Sequence, residues 1–208
     1  MVYVGHNETF YCKGHFDLKG NIVLPEGFTT PTYEKRAHRL EWEHVVPAEN
    51  FGRTFVEWRE GHPDCMDSKG KSFKGRKCAE KMNKEFQLMQ ADMYNLYPAI
   101  GAVNAIRSNF NYAELPEAEI TFGTCPMKIA KKKVEPPDYT KGAIARTYLY
   151  FEEEYLAYHM SDATKKMMLA WNKMHPVDAW ECERARRIEK LQGNANRIVK
   201  EACENEGL

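Results

Sequence analysis

The chain is predicted to adopt an α+β fold, on three observations. Residues 1–38 are cut by glycine, proline and asparagine into short β-prone pieces with little helical periodicity. Leu40–Val46 reads as a strand closed by Pro47, which has no N–H for a ladder. From Lys141 onward the pattern is helical. With 208 residues, 43% hydrophobic and 29% charged, the chain suits one folded domain over residues 1–208.

In chain order, Thr9-Phe10-Tyr11 and Ile22-Val23-Leu24 are the first strand candidates, with Lys19-Gly20-Asn21 as a turn. Thr32–His38 fits a short helix or a strand equally well. In a regular strand Glu43 and His44 point to opposite faces, so they share a site only if the strand ends or twists there. Aromatic residues run from Phe51 to Trp58, and Gly61-His62-Pro63-Asp64 breaks that segment. A helix is expected over Asn83–Leu96, with Phe86, Met89, Met93, Leu96 and Tyr97 on one stripe and Pro98 as its stop. Asn95 then lies opposite the stripe, free for a cleft or solvent. Asn104, Arg107, Asn109 and Asn111 make a stretch too rich in asparagine for a stable helix interior. Glu119–Phe122 reads as a strand, and Lys128–Val134 as a basic segment leading to a turn. The C-terminal third divides into helices over Lys141–His159, from a Ser161/Asp162 cap to His175, from Pro176 to near Gly193, and over Asn194–Cys203.

Thirty acidic and thirty basic side chains cancel, so net charge advertises no polyanionic partner. Local clustering does. Lys69, Lys71, Lys74, Arg76, Lys77 and Lys81 stand against Glu80 alone, and Lys128, Lys131, Lys132 and Lys133 form a second group. The alternative is a solvated, lysine-rich loop in each case. No apolar run approaches the roughly 20 residues of a membrane span. A basic-then-apolar leader is not seen at the start, so an exported protein has already lost it and Met1 replaces it.

Cysteines 12, 65, 78, 125, 182 and 203 contain no C-x-x-C pair. An even, widely spaced set favours disulfides and an oxidising compartment over buried thiols. Spacing favours Cys65–Cys78 and Cys182–Cys203, which leaves Cys12–Cys125, but six cysteines allow fifteen connectivities.

A carboxylate beside a histidine, as in Glu43-His44, combines a hard metal ligand with a group whose reference pKa of about 6.5 suits a general base. Phosphodiester hydrolysis needs that pairing plus a cation on the phosphate, for which the Arg76 fork is suited. Asn95 offers an amide oxygen as a further ligand. Arg107, Asn109, Lys131, Lys132 and Lys133 are weaker candidates for backbone contacts.

Trp42-Glu43-His44-Val45-Val46-Pro47-Ala48, Gly75-Arg76-Lys77-Cys78 and Asn95-Leu96-Tyr97-Pro98-Ala99-Ile100-Gly101 together resemble the bacterial endonuclease I family. Similarity extends through Arg107-Ser108-Asn109-Phe110 and Val134-Glu135-Pro136-Pro137, from about residue 40 to 156. A long loop between Val46 and Arg76 departs from the pattern. The resemblance implies a periplasmic or secreted enzyme with a ββα-metal (His-Me) finger. It also implies divalent-metal-dependent cleavage of DNA, and of RNA, with little sequence preference and 5′-phosphate and 3′-hydroxyl products. His44 corresponds to the general base, Glu43 and Asn95 to the metal ligands, and Arg76 to the residue on the scissile phosphate. Mg²⁺ is the expected ion, with Mn²⁺ or Ca²⁺ also suited, and a monomer is the expected state. The competing readings are a non-catalytic nucleic-acid-binding module and a metallohydrolase of small phosphoesters.

Overall fold

The computed structural model describes residues 2–208; Met1, and with it the leader question, lies outside them. Its order is β1 (His15–Phe16), β2 (Ile22–Val23), α1 (Glu34–Ala37), β3 (Leu40–His44), α2 (Ala48–Gly52), α3 (Val56–Arg59), α4 (Arg76–Met82) and α5 (Lys84–Ala91). There follow β4 (Leu96–Ile100), α6 (Gly101–Arg107), β5 (Asn111–Tyr112), β6 (Lys128–Ala130) and β7 (Lys133–Glu135). Four longer helices close the chain: α7 (Asp138–Glu154), α8 (Asp162–Met174), α9 (Ala179–Gln192) and α10 (Arg197–Glu206). This is a mixed α+β architecture with small sheets and a helical C-terminal region.

The turn at Lys19-Gly20-Asn21 forms because Asp17 Oδ1 accepts the N–H groups of Lys19 and Asn21. It joins β1 to β2, so the partner of Ile22-Val23 is His15-Phe16 rather than Thr9–Tyr11. Tyr11 is a core residue instead. Thr32–His38 resolves as the short helix α1.

β3 and β4 pair antiparallel, with Glu43 opposite Tyr97 and His44 opposite Leu96. The helix expected through Leu96 therefore stops early. It is capped at Asn83, whose side chain accepts from Phe86 N, and it ends at Ala91. Asp92 Oδ1 then takes the N–H of Tyr94 and Oδ2 takes the Tyr150 and Tyr155 hydroxyls, fixing a turn that the 3.6-residue stripe concealed. Pro98 sits inside β4 rather than ending a helix. Its carbonyl faces away from β3 and accepts Phe10 N, so on this two-stranded ribbon its missing N–H costs no ladder bond.

α6 begins at the residue after β4, through the stretch read as too asparagine-rich for a helix. Ala102, Val103 and Arg107 bury one side of it, and tertiary packing overrides the weak propensity. Glu119–Phe122 is not a strand; Phe122 is buried, makes an isolated bridge to Cys125 and accepts Thr29 N at its carbonyl. Lys128–Val134 is a hairpin, β6–β7, whose two-residue turn is Lys131-Lys132, both at positive φ. Side chains of Ser161, Asp178 and Asn196 cap α8, α9 and α10, and Gly193 terminates α9 in the left-handed region.

The disulfides are Cys12–Cys125, Cys65–Cys78 and Cys182–Cys203, the pairing that spacing favoured. The main core joins Tyr11, Val45, Phe51, Phe86, Ile100, Tyr148, Phe151 and Trp171, so the β3–β4 ribbon rests on the C-terminal helices.

Gly101 sets how closely α6 approaches the ribbon. A Cβ there would stand 2.5 Å from Arg36 O, 2.8 Å from Glu41 Oε1 and 3.0 Å from Arg39 O. Because two of those neighbours are backbone, Gly101→Ala is expected to cost about 1–3 kcal/mol, read as a lower urea midpoint with an unchanged m-value.

Candidate active site

β3 alternates. Glu41 and Glu43 face α6, whereas Trp42 and His44 face the other side. The strand ends at His44, and at that end an open cleft of about 370 Å³ reaches both faces. Glu43, His44, Arg76, Asn104 and Asn109 line it, with Trp42 and Trp58. Ending the strand is thus what lets adjacent residues share one site.

Glu43 is 1% exposed. Its Oε1 accepts the Tyr11 hydroxyl at 2.8 Å and faces Arg107 Nη1 at 2.9 Å; neither bond uses Oε2. Burial raises the Glu43 pKa, with the Arg107 charge and the tyrosine hydrogen bond opposing that rise. Arg107 was a candidate substrate contact, and the structure corrects this. It is 1% exposed, donates to the carbonyls of His44 and Val45 at 2.7 Å each, and lies over the Tyr112 ring. Its fork is spent on protein partners, and its Nε is buried without one. Arg107 therefore builds the floor of the cleft.

His44 Nε2 is 2.8 Å from the backbone carbonyl of Gln90. A carbonyl can only accept, so Nε2 carries the proton and Nδ1 of the neutral ring is left as the free base. Gln90 was not singled out from sequence, since a backbone acceptor leaves no residue-type signal. Its side-chain oxygen also accepts from Nε and Nη2 of exposed Arg76, at 3.3 Å each, which leaves Nη1 of Arg76 uncommitted.

Asn95 is not in the cleft. It is fully buried, with Oδ1 accepting Val46 N at 2.7 Å and Nδ2 donating to Val46 O at 3.0 Å. Its amide locks the turn after β3, and its oxygen is taken. The asparagine that α6 brings into the cleft with Glu43 is Asn104. Its nitrogen donates to Glu41 Oε2 at 2.8 Å, and that carboxylate is held in turn by Arg36. Because a carboxylate only accepts, this bond orients the amide and leaves Oδ1 without a protein partner. Asn104 appears in the sequence pattern, but only the helix places it here.

Among the described residues, no three His, Cys, Asp or Glu side chains gather as a metal-binding cluster. Of the cleft's carboxylate and amide oxygens, those of Glu49 are engaged with Arg53 and Asn109, and Asn109 Oδ1 accepts from Ser108, whereas Glu43 Oε2 and Asn104 Oδ1 remain as donors. That set suits a hard cation that keeps most of its waters.

Residues 16–203 match the endonuclease I family. An extracellular deoxyribonuclease of Aeromonas hydrophila is 37% identical over 98% of this chain and 86% of its own length. A periplasmic deoxyribonuclease of the same organism is 38% identical over 98% and 82%. Endonuclease-1 of Buchnera aphidicola subsp. Acyrthosiphon pisum is 39% identical over 94% and 74%. The chain belongs to the endonuclease I family. As an endonuclease it is a hydrolase. Its three disulfides and its relatives agree on a periplasmic or extracellular location. No helix among the described residues is long and apolar enough to cross a membrane.

The lysine hairpin pairs with the strand that follows Asn109, and Asn109 lines the cleft of this endonuclease. Asn109 is exposed on its rim and donates to Glu49. Lys131, Lys132 and Lys133 are exposed. Lys133 pairs with Asn111, two residues beyond Asn109, so the hairpin tip lies at the sheet end that adjoins the cleft rim.

Burial lowers the His44 pKa to about 4; the Gln90 hydrogen bond opposes this, and the Arg76 and Arg107 charges add to it. In the unfolded chain the ring titrates near 6.5, so below that pH protons favour the unfolded state. The contribution is present above about 6.5 and is lost as pH falls to about 4. His44→Ala should therefore flatten the fall of the urea midpoint across this window relative to wild type. Equal slopes would remove the depressed pKa.

Proposed function

We propose that the cleft hydrolyses phosphodiester bonds of DNA, and of RNA, with little sequence preference, residues 1–208 acting as one nuclease unit. The observation that carries this reading is His44, a neutral base oriented by Gln90 O, beside an acidic and amide oxygen pair and a free arginine edge. The β3–β4 ribbon and α6 that follows it correspond on this reading to a ββα-metal finger.

In the mechanism, His44 Nδ1 takes a proton from water as the water oxygen attacks phosphorus. The bond from phosphorus to the 3′-oxygen breaks in line, its electron pair leaves with that oxygen, and protonation from solvent completes the 3′-hydroxyl. The 5′ side keeps the phosphate. Arg76 pairs with non-bridging phosphate oxygens, where its guanidinium balances developing charge. Glu43 Oε2 and Asn104 Oδ1 would hold a divalent ion, Mg²⁺ by donor hardness, with Mn²⁺ or Ca²⁺ suited to the same oxygens. Such an ion supplies Lewis-acid charge to the phosphate and the leaving oxygen. These residues address phosphate, which carries no base identity and is shared by DNA and RNA. Lys131, Lys132 and Lys133 extend the contact along the backbone and make binding salt-dependent.

Supercoiled plasmid tests this directly. Wild type should nick and degrade it in Mg²⁺ and stop with excess EDTA, and His44→Ala should lose at least about a hundredfold. Asn104→Ala should lose Mg²⁺-dependent cutting while keeping its Tm, whereas Asn95→Ala should lower Tm first. The reverse pattern for the two asparagines would return the ligand role to Asn95. An inactive, correctly oxidised wild type would leave a binding module in place of an enzyme.

A further inference from the structure

Trp42 belongs to two cavities at once. It lines the cleft beside His44, and it lines a separate groove of about 630 Å³ with Leu40, Leu96, Phe16, Leu18 and Leu191. That groove is largely apolar. Trp42 is 50% exposed, Leu18 86% and Leu191 57%. A half-exposed tryptophan on a strand face, held by the Tyr3 ring at 5.7 Å, is an aromatic platform rather than a core residue.

Its position gives the platform a use. Trp42 and His44 are two residues apart on the same face of β3, so their Cα atoms stand about 7 Å apart. A phosphate placed for attack at His44 carries its own nucleoside, and the adjoining base lies within reach of the Trp42 indole. The groove runs onward from the indole along the Leu40 side of the ribbon.

We propose that Trp42 and the apolar groove form a subsite for an unpaired nucleobase flanking the scissile phosphate. The proposal rests on the nuclease reading of the cleft and adds a preference to it. Every base has a π-face, so stacking accepts any sequence, in keeping with the phosphate-directed chemistry beside it. A base engaged in a duplex must leave its stack to enter, so unpaired strands and frayed or nicked sites should bind more tightly than intact duplex. Because the Trp42 indole lines both the groove and the cleft, a substrate base is favoured here over a separate protein partner.

The test is binding of fluorescent single-stranded DNA, with and without abasic residues, to Trp42, Trp42→Phe and Trp42→Leu proteins. All carry His44→Ala to prevent cutting, and Mg²⁺ is present. Trp42→Leu keeps apolar bulk, and its Tm is measured alongside. Trp42→Leu should weaken the base-bearing strand at least about fivefold, leave the abasic strand unchanged, and be largely rescued by Trp42→Phe. Equal loss on both strands, no loss on either, or no measurable binding of the base-bearing strand would overturn the subsite. In the latter cases a protein partner becomes the better occupant. Plasmid nicking by the same Trp42 variants with His44 intact reports separately on the nuclease reading, which fails only if wild type does not cut.

Discussion

The site depends on one buried cation. Arg107 reaches from α6 under the end of β3, where it faces the Glu43 carboxylate and takes the carbonyls of His44 and Val45. A carboxylate 1% exposed is costly to ionise unless paired, and removing one partner of such a pair costs about 3–5 kcal/mol. The Tyr11 and Tyr112 hydroxyls, 2.5 Å apart, close the same network around it. Glu43 is thereby held with one oxygen committed and the other left for the cleft. Arg107 also fixes the backbone carbonyl of His44, so one guanidinium aligns both halves of the dipeptide.

Around that pair, each candidate side chain of the cleft is set by a neighbour. Gln90 uses its backbone oxygen for His44 and its side-chain oxygen for Arg76, so the C-terminal end of α5 positions both. Arg36 holds Glu41, and Glu41 turns the Asn104 amide. Asn95 closes the turn after β3, where the strand must stop for Glu43 and His44 to meet. Rigid support of this kind keeps a small set of reactive groups in one geometry. The disulfides secure the periphery: Cys65–Cys78 closes the loop that delivers Arg76, and Cys12–Cys125 anchors the segment carrying Tyr11.

The misreadings around residues 83–111 share a cause. Met93, Leu96 and Tyr97 continue a helical stripe from Phe86, yet Asp92 is satisfied by Tyr94 N, Tyr150 and Tyr155, and the chain turns there. Tyr150 and Tyr155 lie 58 and 63 residues from Asp92, so the local stripe does not announce the turn. The asparagines of α6 lower its propensity, and packing of Ala102 and Val103 offsets that. Once the helix ends early and α6 begins at Gly101, Asn95 moves inside and Asn104 moves to the cleft.

The sequence alone determined the α+β class, a strand beginning at Leu40, the C-terminal helices by period and caps, and Glu43, His44 and Arg76 as candidates that the structure brings to one cleft. It favoured the disulfide pairing without fixing it, and it ran the strand on to Val46 where β3 stops at His44. These are local signals: residue types, spacing and turn chemistry act over a few positions. Tertiary structure decided that Asn104 rather than Asn95 lines the cleft with Glu43, that Arg107 is a buried support, which His44 nitrogen is free, and that Trp42 joins two cavities. Each of these depends on contacts between residues tens of positions apart, where hydrogen-bond donors and acceptors are assigned by packing rather than by neighbours in the chain.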